Sequence, residues 1–572
     1  MDGEGKRIQD EFSYRILLAE RVHSAVLEAR LFKSDCAEVG KLVERLSQML
    51  RTLLRCATSV PSLYEAPIRR VLGQVSTILE RALPLVRKCK RRNIFRRLLS
   101  ISNAGDFRRL INLLDSSIGD MRWLLRIFDY EGSRGGILSL PPIASDDPIL
   151  AWVWSFIATI YMAELPEIIE AVNEIAALVQ DNDRNKKIFV EEGGVTPLLK
   201  MIKDRTTTEA QIAAMRALYM LCNNEERVRV VVNESGIEIV VQILVLLVSP
   251  IRAQIQAAKL VARMAEHDPI AREEFGRENA IRPLMNYLAL DMFGTGRIDY
   301  SNRPGNSGKE KENASPELKM ELKFACSEAV RMLARGSVSN GRMISESYGL
   351  SYLAKLVEKE HGELQVNCLM TIMEIAVVAE FDTDLRRAAF KTSSPDAKAV
   401  VDQLLRLIES SDNPALQIPA IKAIGSLART FPAKEIRIIS PLVAQLENGN
   451  QDVAAEATIS LQKFASPDNF LHAEHSKTIV GFGAIPTLIR LLRNNPRIRF
   501  HGSVLLCYLA LHVCDHKALE KARVLTALQG AEHTLVAQHP ELRELLSQAI
   551  YQLTLYHTWN NSYRQSYVGL DG

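Results

Sequence analysis

No uninterrupted apolar run reaches about 18 residues, the length a helix needs to cross a bilayer, and the start of the chain, MDGEGKRIQDEF, is charged where a secretory signal would be apolar. Neither export nor membrane spanning is expected. The eight cysteines (Cys36, Cys56, Cys89, Cys222, Cys326, Cys368, Cys507 and Cys514) are scattered without a CxxC pair, so they read as reduced core residues of a cytosolic or nuclear protein. No phosphate loop (GxxxxGK with Ser or Thr), no GxGxxG after a strand, no HExxH and no GxSxG turn occurs. Catalytic residues and cofactors are therefore not expected. His512, Cys514 and His516 (HVCDH) bring two histidines onto one helix face, but Cys514 lies off that face and no fourth ligand pairs with it, so no metal is assigned. His472 and His475 sit in what reads as a polar loop between helices.

Charge of either sign is nearly balanced, at a net +3, yet it is divided unevenly. Residues 1–145 hold 25 Lys and Arg against 16 Asp and Glu, and the remainder 46 against 52. The densest basic run, RKCKRRNIFRR, contains Arg87, Lys88, Lys90, Arg91, Arg92, Arg96 and Arg97. Three readings stay open for it: a solvated helix end, where cations suit the C-terminal dipole; a contact with an anionic membrane surface at roughly 1 kcal/mol per basic residue; or a nuclear address. Nucleic acid is not expected as a partner.

What the chain does have is repetition. A frame of small, any, any, small or Leu, apolar, any, any, apolar, small recurs, as in Ala214–Cys222 (AMRALYMLC), Ala257–Ala265 (AAKLVARMA), Ala420–Ala428 (AIKAIGSLA) and Gly502–Ala510 (GSVLLCYLA). Its end points are Val179, Cys222, Ala265, Ala334, Ala376, Ala428, Ala465, Ala510 and Thr554. They are spaced 43, 43, 69, 42, 52, 37, 45 and 44 residues apart, and the longest interval contains a polar stretch. A helical period near 40–47 is the signature of armadillo or HEAT units. Small residues let adjacent helices approach closely, and each unit is too thin to bury its apolar face alone. The fold class expected is all-α: an N-terminal helical bundle followed by an armadillo-type α-solenoid of about nine triple-helix repeats.

The bundle is read from four apolar blocks with steps of three, four or seven. They are Leu18, Val22, Ala25, Ala29, Phe32; Val39, Leu42, Leu46, Met49, Leu53; Ile68, Val71, Val75, Ile78, Ala82, Leu85; and Phe107, Leu110, Leu114, Met121, Leu124, Phe128. Pro67 suits the first turn of the third helix, and Pro84 should kink it or end it early. The expected organisation is a four-helix bundle over 1–130, a linker over 131–148 and an aromatic capping helix over 149–162 with Trp152 and Trp154. The repeat array follows over 163–557, with a disordered polar insertion at 292–315 and a flexible tail at 558–572.

Four stretches resemble a specific family: Leu63–Val71 (LYEAPIRRV), Ser117–Ile127 (SIGDMRWLLRI), Leu140–Leu150 (LPPIASDDPIL) and Asp181–Met201 (DNDRNKKIFVEEGGVTPLLKM). Together they are similar to the plant armadillo-repeat-only proteins. That resemblance implies a non-enzymatic interaction scaffold of polarised plant cells and tip growth, connected with Rho-type small-GTPase signalling and the cytoskeleton.

In armadillo arrays such as importin-alpha and beta-catenin, the third helix of each repeat lines a concave groove. By that resemblance two frame positions per repeat face a partner here. One set is Asn173, Arg216, Lys259, Glu328, Met370, Lys422, Ile459, Val504 and Gln548; the other is Ala177, Met220, Arg263, Met332, Glu374, Ser426, Lys463, Tyr508 and Gln552. Tryptophan is absent from both, so the regular Trp and Asn pairs that hold a basic import peptide are missing. Arg216, Lys259 and Arg263 form a basic stretch suited to an extended acidic segment, bounded by Glu328 and Glu374. A ubiquitin-ligase relative would need a U-box, for which 131–148 has no room. In a membrane adaptor, Asp2 stands where myristoylation needs Gly, so the basic bundle or a partner would make the attachment.

Overall fold

The structure is a computed structural model that describes residues 8–59, 64–90, 100–128, 141–145, 147–204, 207–246, 249–289, 315–432, 435–494, 496–513 and 517–568. Among these residues every regular element is a helix and none is a strand, as an armadillo-type α-solenoid requires. The chain divides into two compact units, residues 1–239 and 240–572.

The first unit opens with α1 (Ile8–Leu27), α2 (Lys33–Ser59), α3 (Ala66–Lys88) and α4 (Ser100–Phe128). α1 packs on α2 and α3, and α4 packs on the same two, so the four close a bundle. Val22, Val43, Leu46, Leu50, Ile68, Val75, Leu79, Phe107, Leu114 and Leu124 form its interior, each worth about 1.5–3 kcal/mol relative to exposure. α1 begins well before the first apolar block because Phe12, fully buried, already belongs to its inward stripe. Pro67 stands in the first turn of α3, where its missing N–H is one that no helix would pair. Pro84 does not end α3 early: the helix runs on to Lys88, its last turn held by buried Val86. Residues 60–63 and 91–99, with Arg91, Arg92, Arg96 and Arg97, lie outside the described residues.

The bundle is fastened to the start of the array by a dense joint within this unit. A 3-10 turn at Pro142–Ala144 packs on α4 and leads into α5 (Pro148–Met162). The turn comes so close to α4 that a Cβ on Gly119 would lie 2.8 Å from Pro142 Cγ, which is why glycine stands there. The next residue, Asp120, is 1% exposed, and its Oδ1 accepts the Ile143 N–H at 2.8 Å. Burial pushes that carboxyl up to about 6, against the opposite pull of the hydrogen bond. α5 then turns Trp154, fully buried, towards Trp123 of α4 with ring centroids 5.7 Å apart, and leaves Trp152 55% exposed.

One residue gathers the joint. Glu192 follows the helix Asp183–Glu191; its carboxylate accepts the Trp154 Nε1–H at 2.7 Å and pairs with Arg70 of α3 at 2.7 Å. Its backbone carbonyl accepts the Tyr64 hydroxyl at 2.8 Å, and the Tyr64 ring stacks on Tyr161 of α5 at 6.0 Å. The bundle, α5, α6 (Leu165–Val179) and the three-helix repeat Asp183–Glu191, Val195–Asp204 and Thr208–Leu221 therefore belong to one compact body. The boundary between the two units falls inside the array rather than between bundle and array.

In the second unit the third helices are Ile251–His267, Pro316–Ala334, Gly362–Phe381, Pro414–Ser426, Gln451–Ala465, Pro496–His512 and Arg543–Val568, and each after the first packs on the one before it. The small frame residues lie in those contacts: Ala257, Ala329, Ala376, Ala420, Ala457 and Ala510 are all buried. At Gly425 the helices approach so closely that a Cβ there would meet Ser460 Oγ at 2.3 Å. By length and composition Gly362–Phe381 is long and apolar enough to cross a membrane, but 61% of its apolar window is buried between its neighbours, as in a core helix.

Polar side chains, Asn185 and Asn340 buried and Arg272 and Arg386 half-buried, close the turns between helices, and they recur with the repeat. Asn185 donates to Leu178 O at 2.8 Å, Arg272 to Ala265 O at 2.9 Å, Asn340 to Leu333 O at 2.9 Å and Arg386 to Ala379 O at 3.0 Å. Each side chain reaches back from a first helix to a carbonyl at the end of the preceding third helix, which would otherwise be unpaired. Gln211 and Gln365 do the same for second helices, donating to Ile202 O and Val357 O at 2.9 Å.

Three features depart from the sequence reading. The repeat ending at Ala465 is not a triple helix: short pieces at Ile436–Ile438, Ile439–Ala444 and Gln445–Glu447 stand where others have two helices, which accounts for the short interval of 37. The preceding interval of 52 reflects a long second helix, Pro395–Ser410, and a third helix that continues to Phe381. The last helix runs to Val568 through most of the stretch expected as a tail, because no Gly or Pro interrupts it. The insertion lies outside the described residues up to 314, and Ser315 caps the helix after it, its hydroxyl accepting Leu318 N–H. The linker is described only from residue 141.

Candidate functional site

The third helices are set in place by their buried small faces, which leaves the frame's other side available. In the first unit Asn173, Ala177 and Arg216 are exposed and Met220 is half-buried. In the second, Lys259, Arg263, Glu328, Met370, Glu374, Lys422, Ile459, Lys463 and Tyr508 are half-buried, and Gln548 and Gln552 are exposed. Met332, Ser426 and Val504 are buried instead. For Ser426 the cause is local: Lys463 lies over it, its Nζ 3.2 Å from Ser426 Oγ and 2.6 Å from a Glu380 carboxylate oxygen. An ion pair of the chain's own thus covers that position.

The expected basic stretch is also changed by its surroundings. Arg216 belongs to the first unit and Lys259 and Arg263 to the second. Lys259 Nζ pairs with Glu321 at 2.8 Å, and Arg263 with Glu266 at 3.5 Å. These counter-charges lie outside the two frame positions used to find the site. Glu328, half-buried nearby, has its carboxyl raised above the usual range chiefly by burial, with Arg331 pulling it back.

A concavity opens one repeat further on, between the third helices Pro316–Ala334 and Gly362–Phe381. It measures about 180 Å³ and is lined by Arg331, Met332, Arg335, Met370 and Glu374. Three of these were expected from the frame; Arg331 and Arg335 were not. Arg331 is oriented by donating to Asn367 Oδ1 at 3.0 Å. Arg335 is exposed, and among the described residues neither its guanidinium nor the Glu374 carboxylate has a hydrogen-bond or ion-pair partner. Arg272 stands at the rim, its Nη1 donating to Arg335 O at 2.7 Å.

Other candidates resolve differently. His472 begins the helix His472–Gly481 rather than lying in a loop, and its ring lies tilted against that of His512 with centroids 4.2 Å apart, while His512 stacks on Tyr508 at 5.9 Å. Burial, then the neighbouring His472, holds His512 down to about 4. His475 packs edge-on against Phe464. Cys514 and His516 lie outside the described residues, and among those described no three His, Cys, Asp or Glu gather as a metal site. At the end of α3, Arg87 and Lys88 are exposed, while Lys90 pairs with Glu28 at 2.8 Å. Cys89 beside them is buried, its thiol donating to Leu85 O, and so is not presented for acylation.

Residues 9–129 match the family model of a domain of unknown function, DUF7792. Among solved structures, an engineered protein aligns with 70% of this chain and 99% of its own at 21% identity and a TM-score of 0.48. A designed armadillo repeat protein covers 48% of this chain and 98% of its own at 18% identity and a TM-score of 0.38. Another, solved in complex with the peptide (KR)4, covers the same shares at 17% identity and a TM-score of 0.38. No curated protein matches. The assignment of the array as an armadillo-type solenoid rests on its own helices and their frame.

Proposed function

We propose that this protein is a non-catalytic scaffold that holds an extended segment of a partner protein on the third-helix face of its array. The observation that carries the reading is the concavity between two successive third helices, where Met332, Met370 and Glu374 from the partner-facing frame meet in one place. Such a face offers shape and side-chain chemistry to a peptide without the strand-to-loop switch on which many catalytic sites depend. The bundle, joined to the first repeats through Glu192, serves as the end cap that a solenoid needs.

The family resemblance of the joint motifs supports a more particular role in plant cell polarity and tip growth, with a Rho-type small GTPase, a kinase or a cytoskeletal factor as partner. The protein then works in the cytoplasm, with a peripheral fraction at the plasma membrane. Exposed Arg87 and Lys88 favour that second location through anionic lipid; flotation on phosphoinositide liposomes should fall when both become Glu. Proximity labelling in the native cell tests the scaffold itself. The wild type should mark a partner set that a Met370→Arg, Glu374→Arg variant loses; an identical set from both would refute the use of this face.

A further inference from the structure

We infer that the concavity lined by Arg331, Arg335, Met332, Met370 and Glu374 is a subsite for a carboxylate side chain, Asp or Glu, of an extended peptide that carries an aliphatic residue two positions away. The inference deepens the scaffold reading and rests on it.

Upstream on the same face the cations are already answered, Lys259 by Glu321 and Arg263 by Glu266. The concavity holds two guanidiniums and one carboxylate; Arg331 also acts on Glu328, and Arg272 spends its donors on the Ala265 and Arg335 carbonyls, so Arg335 is the cation left for a partner. Arg335 is exposed and unpartnered among the described residues. Arg331 is held by Asn367, which itself donates to Ser327 Oγ at 3.2 Å, so one guanidinium is fixed and the other can swing. A planar guanidinium beside another is suited to grip a carboxylate.

Glu374 decides which anion. It cancels one of the two lining cations, and since removing charge from water costs roughly as its square while attraction grows only in proportion, the single positive charge left over repays the desolvation of a carboxylate and not that of a phosphate dianion. The two methionines supply the rest of the lining, a soft apolar surface that adapts to differing aliphatic shapes. In an extended peptide alternate side chains share a face. The acidic and aliphatic residues that meet Arg335 and the methionines are therefore two apart, with a solvent-facing residue between them.

The test uses the full chain and four labelled peptides, two copies each of Glu-Ser-Leu-Ser and of the same sequence with Lys, Gln or phosphoserine in place of Glu, read by fluorescence anisotropy. A photo-crosslinking residue at position 370 reports where each lands. The Glu peptide should bind at least tenfold tighter than the Lys peptide and several-fold tighter than the phosphoserine peptide. Arg335→Glu should remove that preference without lowering the melting midpoint, since its side chain is exposed; Glu374→Gln should strengthen the phosphoserine peptide more than the Glu peptide. Equal affinity for the Glu and Lys peptides, tightest binding by phosphoserine, or indifference to Arg335→Glu would overturn the inference. Crosslinking of the Gln or Lys peptide at 370 with no acidic preference overturns it while leaving the scaffold reading standing. Absence of any binding overturns it as well, and the scaffold reading is then decided by the proximity-labelling comparison alone.

Discussion

Replacing Glu192 with Ala should loosen the joint between bundle and array more than any comparably exposed surface change. The substitution removes the acceptor of the Trp154 indole N–H and the partner of Arg70. Trp154 is fully buried, so its N–H would be left without a partner, at a cost of about 1–3 kcal/mol. The Arg70 pair adds little, because that side chain is half-exposed and such pairs contribute roughly 0–1 kcal/mol. The cation–π approach of Arg70 to the Trp154 ring, 5.7 Å away, would relax at the same time. A total near 2–3 kcal/mol follows, whereas Glu192→Gln, which keeps an acceptor, should lose about half as much. The assay is calorimetric unfolding together with hydrogen exchange along α3 and 183–194. Glu192→Ala should lower the first transition and raise exchange in both segments. Combined with Trp154→Phe, which removes the donor, the two losses should be less than additive. Unchanged exchange in both segments, or strictly additive losses, would show that Glu192 does not hold the joint.

Asp120 should make the same unit pH-sensitive. Its carboxyl is raised in the folded protein, to about 6 from 3.8, so the proton favours the fold and the stabilisation present at low pH is lost as pH climbs from 3.8 through 6. Asp120→Asn keeps the acceptor for Ile143 and should raise the unfolding free energy at pH 7.5 by up to about 3 kcal/mol, while changing little at pH 4; a lower unfolding free energy at pH 7.5 would contradict this. In the second unit Gly425→Ala should cost about 1–3 kcal/mol by overpacking, seen in thermal unfolding. Ser460→Ala in the same chain should recover only part, since Ser460 Cβ and Cα also lie 2.7 and 2.9 Å from the added carbon. Full recovery would mean that the hydroxyl alone sets the spacing.

The repeat could be read from sequence because its physical cause is local: helices that stack closely need small residues at a fixed register, as at Ala420 and Ala457. The bundle could be read for the same reason, since Val22, Leu46 and Leu114 announce themselves by spacing. Phe12 escaped because the polar residues around it broke the apparent stripe. The joint motifs were visible as words but not as a joint, for Tyr64 meets a partner 128 residues away and Arg70 one 122 away. The site suffered likewise. Two frame positions per helix captured Met332, Met370 and Glu374 but passed over Arg331 on the same helix as Met332 and Arg335 just past its end. They also gave no warning that Glu321, 62 residues from Lys259, would neutralise it. Ser426 looked open because the Lys463 arm that covers it comes from the next repeat.

The central claim is that the third-helix face, and not the outer surface of the array, receives the partner. Site-specific photo-crosslinking in the native cell tests it most directly, with the reactive residue placed at Met370 in one chain and at Glu358, exposed on the second helix Gly349–Lys359, in another. The account predicts a discrete crosslinked partner from position 370 and none from 358. Crosslinking of the same partner from 358, with nothing from 370, would contradict it.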